Sequence, residues 1–414
     1  MGYLELDLTL SDEAKAMHET IKKFGMEVMR PAGIKLDKMA NPEDVIAKNS
    51  ALWDVIKTSR ELGIHKRGIP KAFGGMLEDM DPKVGPLMAE TMGYADAGLS
   101  ICLGVSAFPM TFAMMSPEAE LQQLVRDYCE DTKGEIIGCW AITEPDHGSD
   151  WLMYDVESAK DPKCAPSVRA VADGADYIIN GQKSAWVTNG SIATHANLFF
   201  TTDPTKGMEA SAFAIVPLNL PGVSRGKPLD KIGQRALNQA EIFFDGVRIP
   251  KSFVISSEET GDFKSMMNQR LASANAGMGV LFSGCAHSAY DEALSFAKER
   301  VQGGKAIIHH QNIKLKLFDM FIQVEAARSL ARRVMLYNSK LGREGKLMEL
   351  QYSIASKIFA TETAFRVASQ AIQIFGGSGL SREYHIEKIF RDARAAMIED
   401  GVNESLALGG AERL

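Results

Sequence analysis

The segment Cys139-Trp-Ala-Ile-Thr-Glu-Pro-Asp-His-Gly-Ser-Asp150 decides the reading of this chain, because the hydrophobic period changes there. Upstream, Ala14, Met17, Ile21, Phe24 and Val28 repeat at the three-to-four spacing of one helix face. Ser11 is placed to cap that helix, and Asp12 and Glu13 suit the positive end of its dipole. Helical character continues, with turns at Gly63, Pro70 and Gly74-Gly75, to about Lys133. From Ile136 to Thr143 the residues favour strand, as do Tyr177–Ile179, Ser184–Thr188, Leu198–Thr202, Ala212–Val216 and Ile242–Phe244. Asn180-Gly181, between two of these runs, predicts a hairpin turn, and residues 155–171 read as a polar surface loop. Past about Gly261 helices return near 262–301, 309–341 and 347–375. Gly376-Gly377-Ser378-Gly379 then forces a turn, and a last helical piece starts near Glu383. Strands and helices do not alternate, which disfavours a Rossmann arrangement and predicts an α+β chain of helices, then a β domain, then helices.

The formal net charge of −7 lacks the basic stripe that nucleic-acid binding requires. No apolar run approaches the ~20 residues of a membrane span. The start, MGYLELDLTLSDEAK, resembles neither a secretory nor a transit sequence, and Leu6 breaks the myristoylation pattern, so a cytoplasmic protein is expected. The five cysteines (Cys102, Cys129, Cys139, Cys164 and Cys285) form no C-x-x-C pair and are expected to be reduced thiols. His309-His310 are adjacent rather than four apart, and no metal site is expected.

Five blocks carry a resemblance. They are residues 139–150; Trp186-Val-Thr-Asn-Gly190; Lys231-Ile-Gly with Phe244-Asp-Gly-Val-Arg-Ile-Pro250; Arg300 with Gln311 and Asp319-Met320; and Gln373-Ile-Phe-Gly-Gly377 with Arg391-Asp392 and Asp400-Gly401. In this order and spacing the chain resembles the acyl-CoA dehydrogenase family. The resemblance implies an N-terminal helical domain (1–134), a middle β-barrel or sandwich domain (135–250) and a C-terminal four-helix bundle (251–414). It also implies FAD, an acyl-CoA substrate, a homotetramer and an electron-transferring flavoprotein as acceptor. Desaturation removes a proton α to the thioester and a β-hydride that flavin accepts, so a base and a well-held flavin are needed.

By the same resemblance, Trp140, Ile142, Thr143, Trp186 and Thr188 lie about the flavin ring. Gly148 and Ser149 lie near flavin phosphate or CoA, and Val402 and Glu404 belong to the same cofactor site. Arg300, Gln311, Gln373, Gly376 and Gly377 match positions reaching the FAD of a neighbouring subunit. Thr91, Ser149, Arg270, Glu399 and Gly401 are the implied substrate contacts. Asp400 stands where the family's base is usually Glu, and Gln269, at the alternative position, cannot accept a proton at neutral pH. Departures are Gly303 for a usual Phe, Val402 for Thr, Trp140 for Tyr or a smaller residue, and His147, read as a surface histidine, for a small residue. Asp is one methylene shorter than Glu, which points to an α-branched or cyclic acyl group. Segments 301–305 and 399–404 resemble most the branch acting on cyclic acyl-CoAs, such as cyclohexane- or cyclohexene-carboxyl-CoA, in anaerobic bacteria. Thr91 cannot be a second, deeper base, which favours α,β- over 1,4-elimination. Alternatives are a dehydrogenase of linear, branched or dicarboxylic acyl-CoAs, an oxidase or flavin monooxygenase on the same fold, and an inert acyl-CoA- or flavin-binding module.

Overall fold

The computed structural model describes residues 5–153, 157–257 and 263–414. Ser11 caps α1 (Asp12–Lys23) as expected, its hydroxyl accepting from the Ala14 amide, and Ala14, Ile21 and Phe24 are buried. A π-helical stretch (Phe24–Met29) joins α1 to α2 (Arg30–Asp37). The N-terminal helices continue as α3 (Pro42–Val45), α4 (Ala51–Glu61), α5 (Val84–Ala95), α6 (Ala97–Val105), α7 (Phe108–Ala113) and α8 (Ala119–Glu130).

The middle domain holds β1 (Gly138–Ala141), β2 (Arg169–Asp173), β3 (Asp176–Thr188), β4 (His195–Thr201), β5 (Ser211–Pro217), β6 (Val223–Arg225), β7 (Gln239–Pro250) and β8 (Val254–Ser256). Among the described residues these form one sheet in the order β6-β7-β3-β2-β4-β5-β8, with β1 parallel to β4. Alternate residues of β4 and β5 serve different cores. Phe199, Phe213 and Ile215 pack with Phe112, Val125 and Tyr128 of α7 and α8. Leu198, Phe200, Ala214 and Val216 pack instead with Ile179 of β3 and Ile242, Phe244 and Ile249 of β7.

The hairpin lies elsewhere than expected. Asn180-Gly181 falls inside the continuous β3, where the register with β7 slips between Ile179 and Gly181. A Cβ on Gly181 would sit 2.8 Å from the Val168 Cα, and the Asn180 Oδ1 accepts from the Gly246 amide at 2.8 Å. The turn residues thus serve a bulge. The tight turn is at Gly174-Ala175 between β2 and β3, with Gly174 at φ 62°. Consequently β2 occupies the last part of the stretch expected as loop, and the part of that stretch within 154–156 lies outside the described residues.

The C-terminal domain begins with α9 (Phe263–Glu299), which packs against α5. A two-strand ribbon follows, β9 (Val301–Gln302) and β10 (Lys305–Ala306), turning at Gly303 and Gly304 with φ 63° and 80°. This left-handed turn is a physical reason for glycine at 303. Then come α10 (Gln311–Arg343), α11 (Leu350–Phe375), α12 (His385–Ala395) and α13 (Asn403–Ala411). No described helix is long and apolar enough to cross a membrane. The cysteines are free thiols, all buried except the half-buried Cys164.

One buried ionic group joins the three parts. The Lys388 Nζ on α12 donates to Asp96 Oδ2 at 2.7 Å and to Asp392 Oδ2 at 2.5 Å, with side chains 4%, 1% and 3% exposed. Asp96 also caps α6 through the Leu99 amide, and Asp392 accepts from the backbone N–H of Gln234 in the middle domain. Lys388→Met preserves most of the volume but leaves two buried carboxylates unpaired. Its expected cost is about 3–5 kcal/mol of unfolding free energy, read by urea titration; a loss within error would refute the tie.

Candidate active site

Asp400 sits in a short turn between α12 and α13 with φ at +50°, followed by Gly401 at +101°. Aspartate tolerates the left-handed region better than most residues. At 401 a Cβ would lie 2.5 Å from the Leu152 side chain, so glycine is required. The turn is clamped from two directions. The Lys357 Nζ, on α11, donates to the Gly401 carbonyl and the Asn403 Oδ1, both at 2.7 Å, and the Val402 amide donates to the Ser149 hydroxyl at 3.2 Å. Asn403 in turn donates to Thr361 at 3.2 Å.

Asp400 opens onto a cavity of about 350 Å³ that it shares with Phe108, Arg270, Ala274, Met88 and Ile101. Asp400 is itself exposed, but protein is packed densely around it. Burial therefore pushes its pKa up, opposed by the cations of Arg270 and Lys357. Arg270 lies flat on Phe108, its guanidinium carbon 3.3 Å from the ring centroid and 5.4 Å from that of Trp140. Burial pulls Arg270 down to about 10, with Asp400 opposing, and its Nε and Nη2 find no protein acceptor. Next to the turn, burial pushes Glu399 up to about 7, although Gln234 donates to it at 2.8 Å. The site thus holds a carboxylate of raised basicity facing a cation across an apolar cavity, an arrangement suited to taking a proton from carbon.

Residues 139–247 match the acyl-CoA dehydrogenase middle domain, and residues 263–414 the acyl-CoA dehydrogenase C-terminal domain. The chain belongs to the acyl-CoA dehydrogenase family. It is 31% identical over 401 residues to cyclohex-1-ene-1-carbonyl-CoA dehydrogenase of Geobacter metallireducens, covering 95% of this chain and 96% of the relative. It is 28% identical over 396 residues to cyclohexane-1-carbonyl-CoA dehydrogenase of the same organism, covering 95% of each. Its fold superposes on butyryl-CoA dehydrogenase from Megasphaera elsdenii with a TM-score of 0.84 at 27% identity, over 98% of this chain and 100% of that one.

In this acyl-CoA dehydrogenase the residues implied for the cofactor fall into several places. Trp186 and Thr188 are two apart on β3. The indole is 58% exposed, and the Thr188 hydroxyl accepts from Gln239 at 3.2 Å. Ile142 and Thr143 follow β1, held by their carbonyls to the Lys183 Nζ and the Ser184 amide, with Gly148 and Ser149 just beyond. Trp140 packs among Phe108, Phe112 and Phe199. Arg300, Gln311, Gln373, Gly376, Gly377 and Glu404 are all exposed, away from the Asp400 cavity lining. Val402 caps α13.

Two placements differ from expectation. Thr91 does not line the cavity. Met88, Ala89 and Met92 do, and Thr91 lies on the adjoining arc of α5, bonded to His18 at 2.9 Å. His147 is buried rather than at the surface, paired with Asp150 at 2.6 Å and the Ala165 carbonyl at 3.1 Å. Glu144, Asp146 and His147 have ligand atoms within 4.8 Å of one another, but Glu144 is already engaged by Lys183 and the Ser167 and Val168 amides. Sequence reasoning missed Lys357. A lysine among Ser353, Ile354, Ala360, Thr361 and Ala364 at helical spacing was the available signal.

Because Arg270 and Lys357 oppose the upward push of burial on Asp400, Lys357→Met is expected to move the acid limb of the kcat/KM profile to higher pH. The base must be ionised to act, and losing a cation raises its pKa. An unmoved acid limb in stopped-flow flavin reduction would refute this coupling.

Proposed function

We propose that the chain is an FAD-dependent dehydrogenase in which Asp400 takes the α-proton of an acyl-CoA thioester, the acyl group being cyclic or α-branched. The observation that carries the reading is the clamped Asp400, facing Arg270 at the wall of an apolar cavity. FAD, when bound, supplies the acceptor for the β-hydride. The residues fit it. Trp186 offers a large exposed aromatic face, Thr188 ends the same strand two residues on, and the Thr143 carbonyl accepts from the Ser184 amide of that strand. Gly376, at φ 60°, and Gly377 have no atom within 4 Å of an added Cβ, which leaves room for a ligand to approach the backbone closely. Arg300 and Gln311 are exposed and free to reach the cofactor of a second subunit. Leu315, Phe318 and Ile322 are exposed along one side of α10, which supports a homotetramer.

In the proposed chemistry the chain's work is mostly positional. The left-handed turn at 400–401 aims the carboxylate, and Lys357 fixes the turn through the Gly401 carbonyl. Arg270 balances the negative charge before transfer and is released from that role as Asp400 becomes neutral. The apolar wall of Met88, Ile101 and Met278 excludes water from the acyl group. Asp400→Asn should keep the flavin band and lose about 10²–10⁴-fold in the rate of its bleaching by substrate. A variant as fast as the parent would remove Asp400 from its role.

The ring reading rests on the short side chain of Asp400 and on the two cyclic-acyl relatives. The butyryl-CoA dehydrogenase likeness supports a linear short-chain acyl group as the second reading, and an electron-transferring flavoprotein is the proposed acceptor in either case. Asp400→Glu distinguishes the two readings. It should slow a cyclohexane-carboxyl thioester and favour butyryl-CoA; improvement on both would discard the ring.

A further inference from the structure

The same cavity has a second charged wall that the proton transfer does not use. Arg60, at the end of α4, and His65 and Arg67, in the segment after it, line the cavity beside Ile64, Ile69 and Met88. Arg67 is only 7% exposed. Its Nη1 donates to the Met88 sulfur at 3.2 Å and its Nη2 to the Leu62 carbonyl at the long distance of 3.5 Å, while its Nε has no partner. No carboxylate among the described residues pairs with it. Burial alone displaces its pKa, downward.

Among the other buried cations of the described residues, Lys357 is held by the Gly401 carbonyl and Asn403, and the rest are ion-paired. Lys183 has Glu144, Lys388 has Asp96 and Asp392, Arg328 has Glu90 and Glu325, and Arg391 has Asp37 and Glu387. Arg60, the neighbour of Arg67 on the cavity wall, is 3.9 Å from Asp131 and spends its Nη2 on Ser106 and the Ile136 carbonyl. Its Nε and Nη1 remain without hydrogen-bond acceptors. His65 adds no charge near neutrality, since burial and then Arg60 bring it down to about 4. Two guanidinium groups therefore face one carboxylate, and one positive charge on this wall is uncompensated. A buried cation without a counter-ion is costly to keep unless a ligand supplies the anion.

We infer that the acyl group ends in a carboxylate, and that Arg67, with Arg60 beside it, receives that carboxylate while the thioester end lies at Asp400. Met88, Met92, Ile101 and Leu281 between these walls would cover the hydrocarbon part, whether ring or chain. The substrate class is then a dicarboxylic acid carried as its mono-CoA thioester. Neutralisation by the bound carboxylate explains why no protein acid is built opposite Arg67. The inference rests on Asp400 as the site of the α carbon, so its test includes a reading that does not depend on turnover.

The FAD holoenzyme is reduced anaerobically by two matched pairs: adipyl-CoA against hexanoyl-CoA, and 4-carboxycyclohexane-1-carbonyl-CoA against cyclohexane-1-carbonyl-CoA. In at least one pair the carboxylated member should have about 10-fold or higher kcat/KM. In Arg67→Met that ratio should fall to about one or below, and Arg67→Lys should retain part of it. A parent enzyme that prefers the uncharged member of both pairs, or a preference unchanged in Arg67→Met, overturns the inference. Calorimetric binding of the same thioesters to Asp400→Asn holoenzyme separates the two claims. Tighter binding of a carboxylated member, lost when Arg67→Met is added, supports the carboxylate site even if no thioester bleaches the flavin. Equal affinities overturn it even if the dehydrogenase reading stands.

Discussion

The Lys388 ammonium, held between Asp96 and Asp392, is the contact on which the arrangement of the site depends. Burial alone would draw its pKa down, and the two carboxylates push it well above the ordinary lysine range instead. The same group fixes relative position. Asp96 begins α6, whose residues line the cavity, Asp392 belongs to the helix that leads to Asp400, and Gln234 is the middle domain's contribution. From Gln234 the chain of contacts continues through its side-chain amide to Glu399, one residue before the proposed base. A second group does similar work nearby. Arg391 pairs with Asp37 and Glu387 and donates to the Ile232 carbonyl, again joining the N-terminal helices, the middle domain and α12. The proposed base is therefore positioned by interdomain ionic contacts rather than by a rigid strand or helix of its own.

That positioning carries an electrostatic consequence. Lys357 clamps the turn, and its charge opposes the upward push of burial on Asp400. Burial brings Lys357 itself down to about 8, with Asp400 the first of the carboxylates that resist the fall. One side chain thus sets both where the carboxylate points and how basic it is. Removing it cannot change one without the other, and the two effects are separable only by comparing rate with pH profile.

Much of the fold was legible in the sequence. The α1 face, the Ser11 cap and the three long C-terminal helices follow from periodicity and capping, which are local. The proposed base, Asp400, was read from the resemblance at Asp400-Gly401, and the structure adds that this pair forms a left-handed turn. Asn180-Gly181 misled because a bulge and a hairpin turn share the same chemistry, and only pairing with β7 distinguishes them. Strands β2, β6 and β8 were missed for a related reason. They are short, and β2 and β6 are mostly exposed, so their pairing partners define them rather than their composition. The misplacement of Thr91 is a matter of helix phase. Met88 and Met92 share the cavity-facing arc, and Thr91, a step of ~100° from Met92, falls outside it.

Charge pairing separates the structural from the chemical parts of this molecule. Lys183, Arg328, Lys388 and Arg391 are buried with their counter-ions, and each joins segments far apart in the chain or stabilises a turn. Around the cavity the rule changes. Asp400 and Arg270 face each other without direct pairing, Arg270 retains unpartnered donors, and Arg67 has only a sulfur and a distant carbonyl. Unsatisfied polar groups of this kind weaken the folded state unless binding satisfies them. Several such atoms, on Arg60, Arg67 and Arg270, line this one cavity, where a ligand could satisfy them. A thioester that brought only hydrocarbon to the Arg67 wall would leave that guanidinium more poorly solvated than before, and affinity would fall with each methylene pressed against it. On the proposed reading, this wall would set the length and end group of the acyl chain, and Asp400 the reaction at its other end.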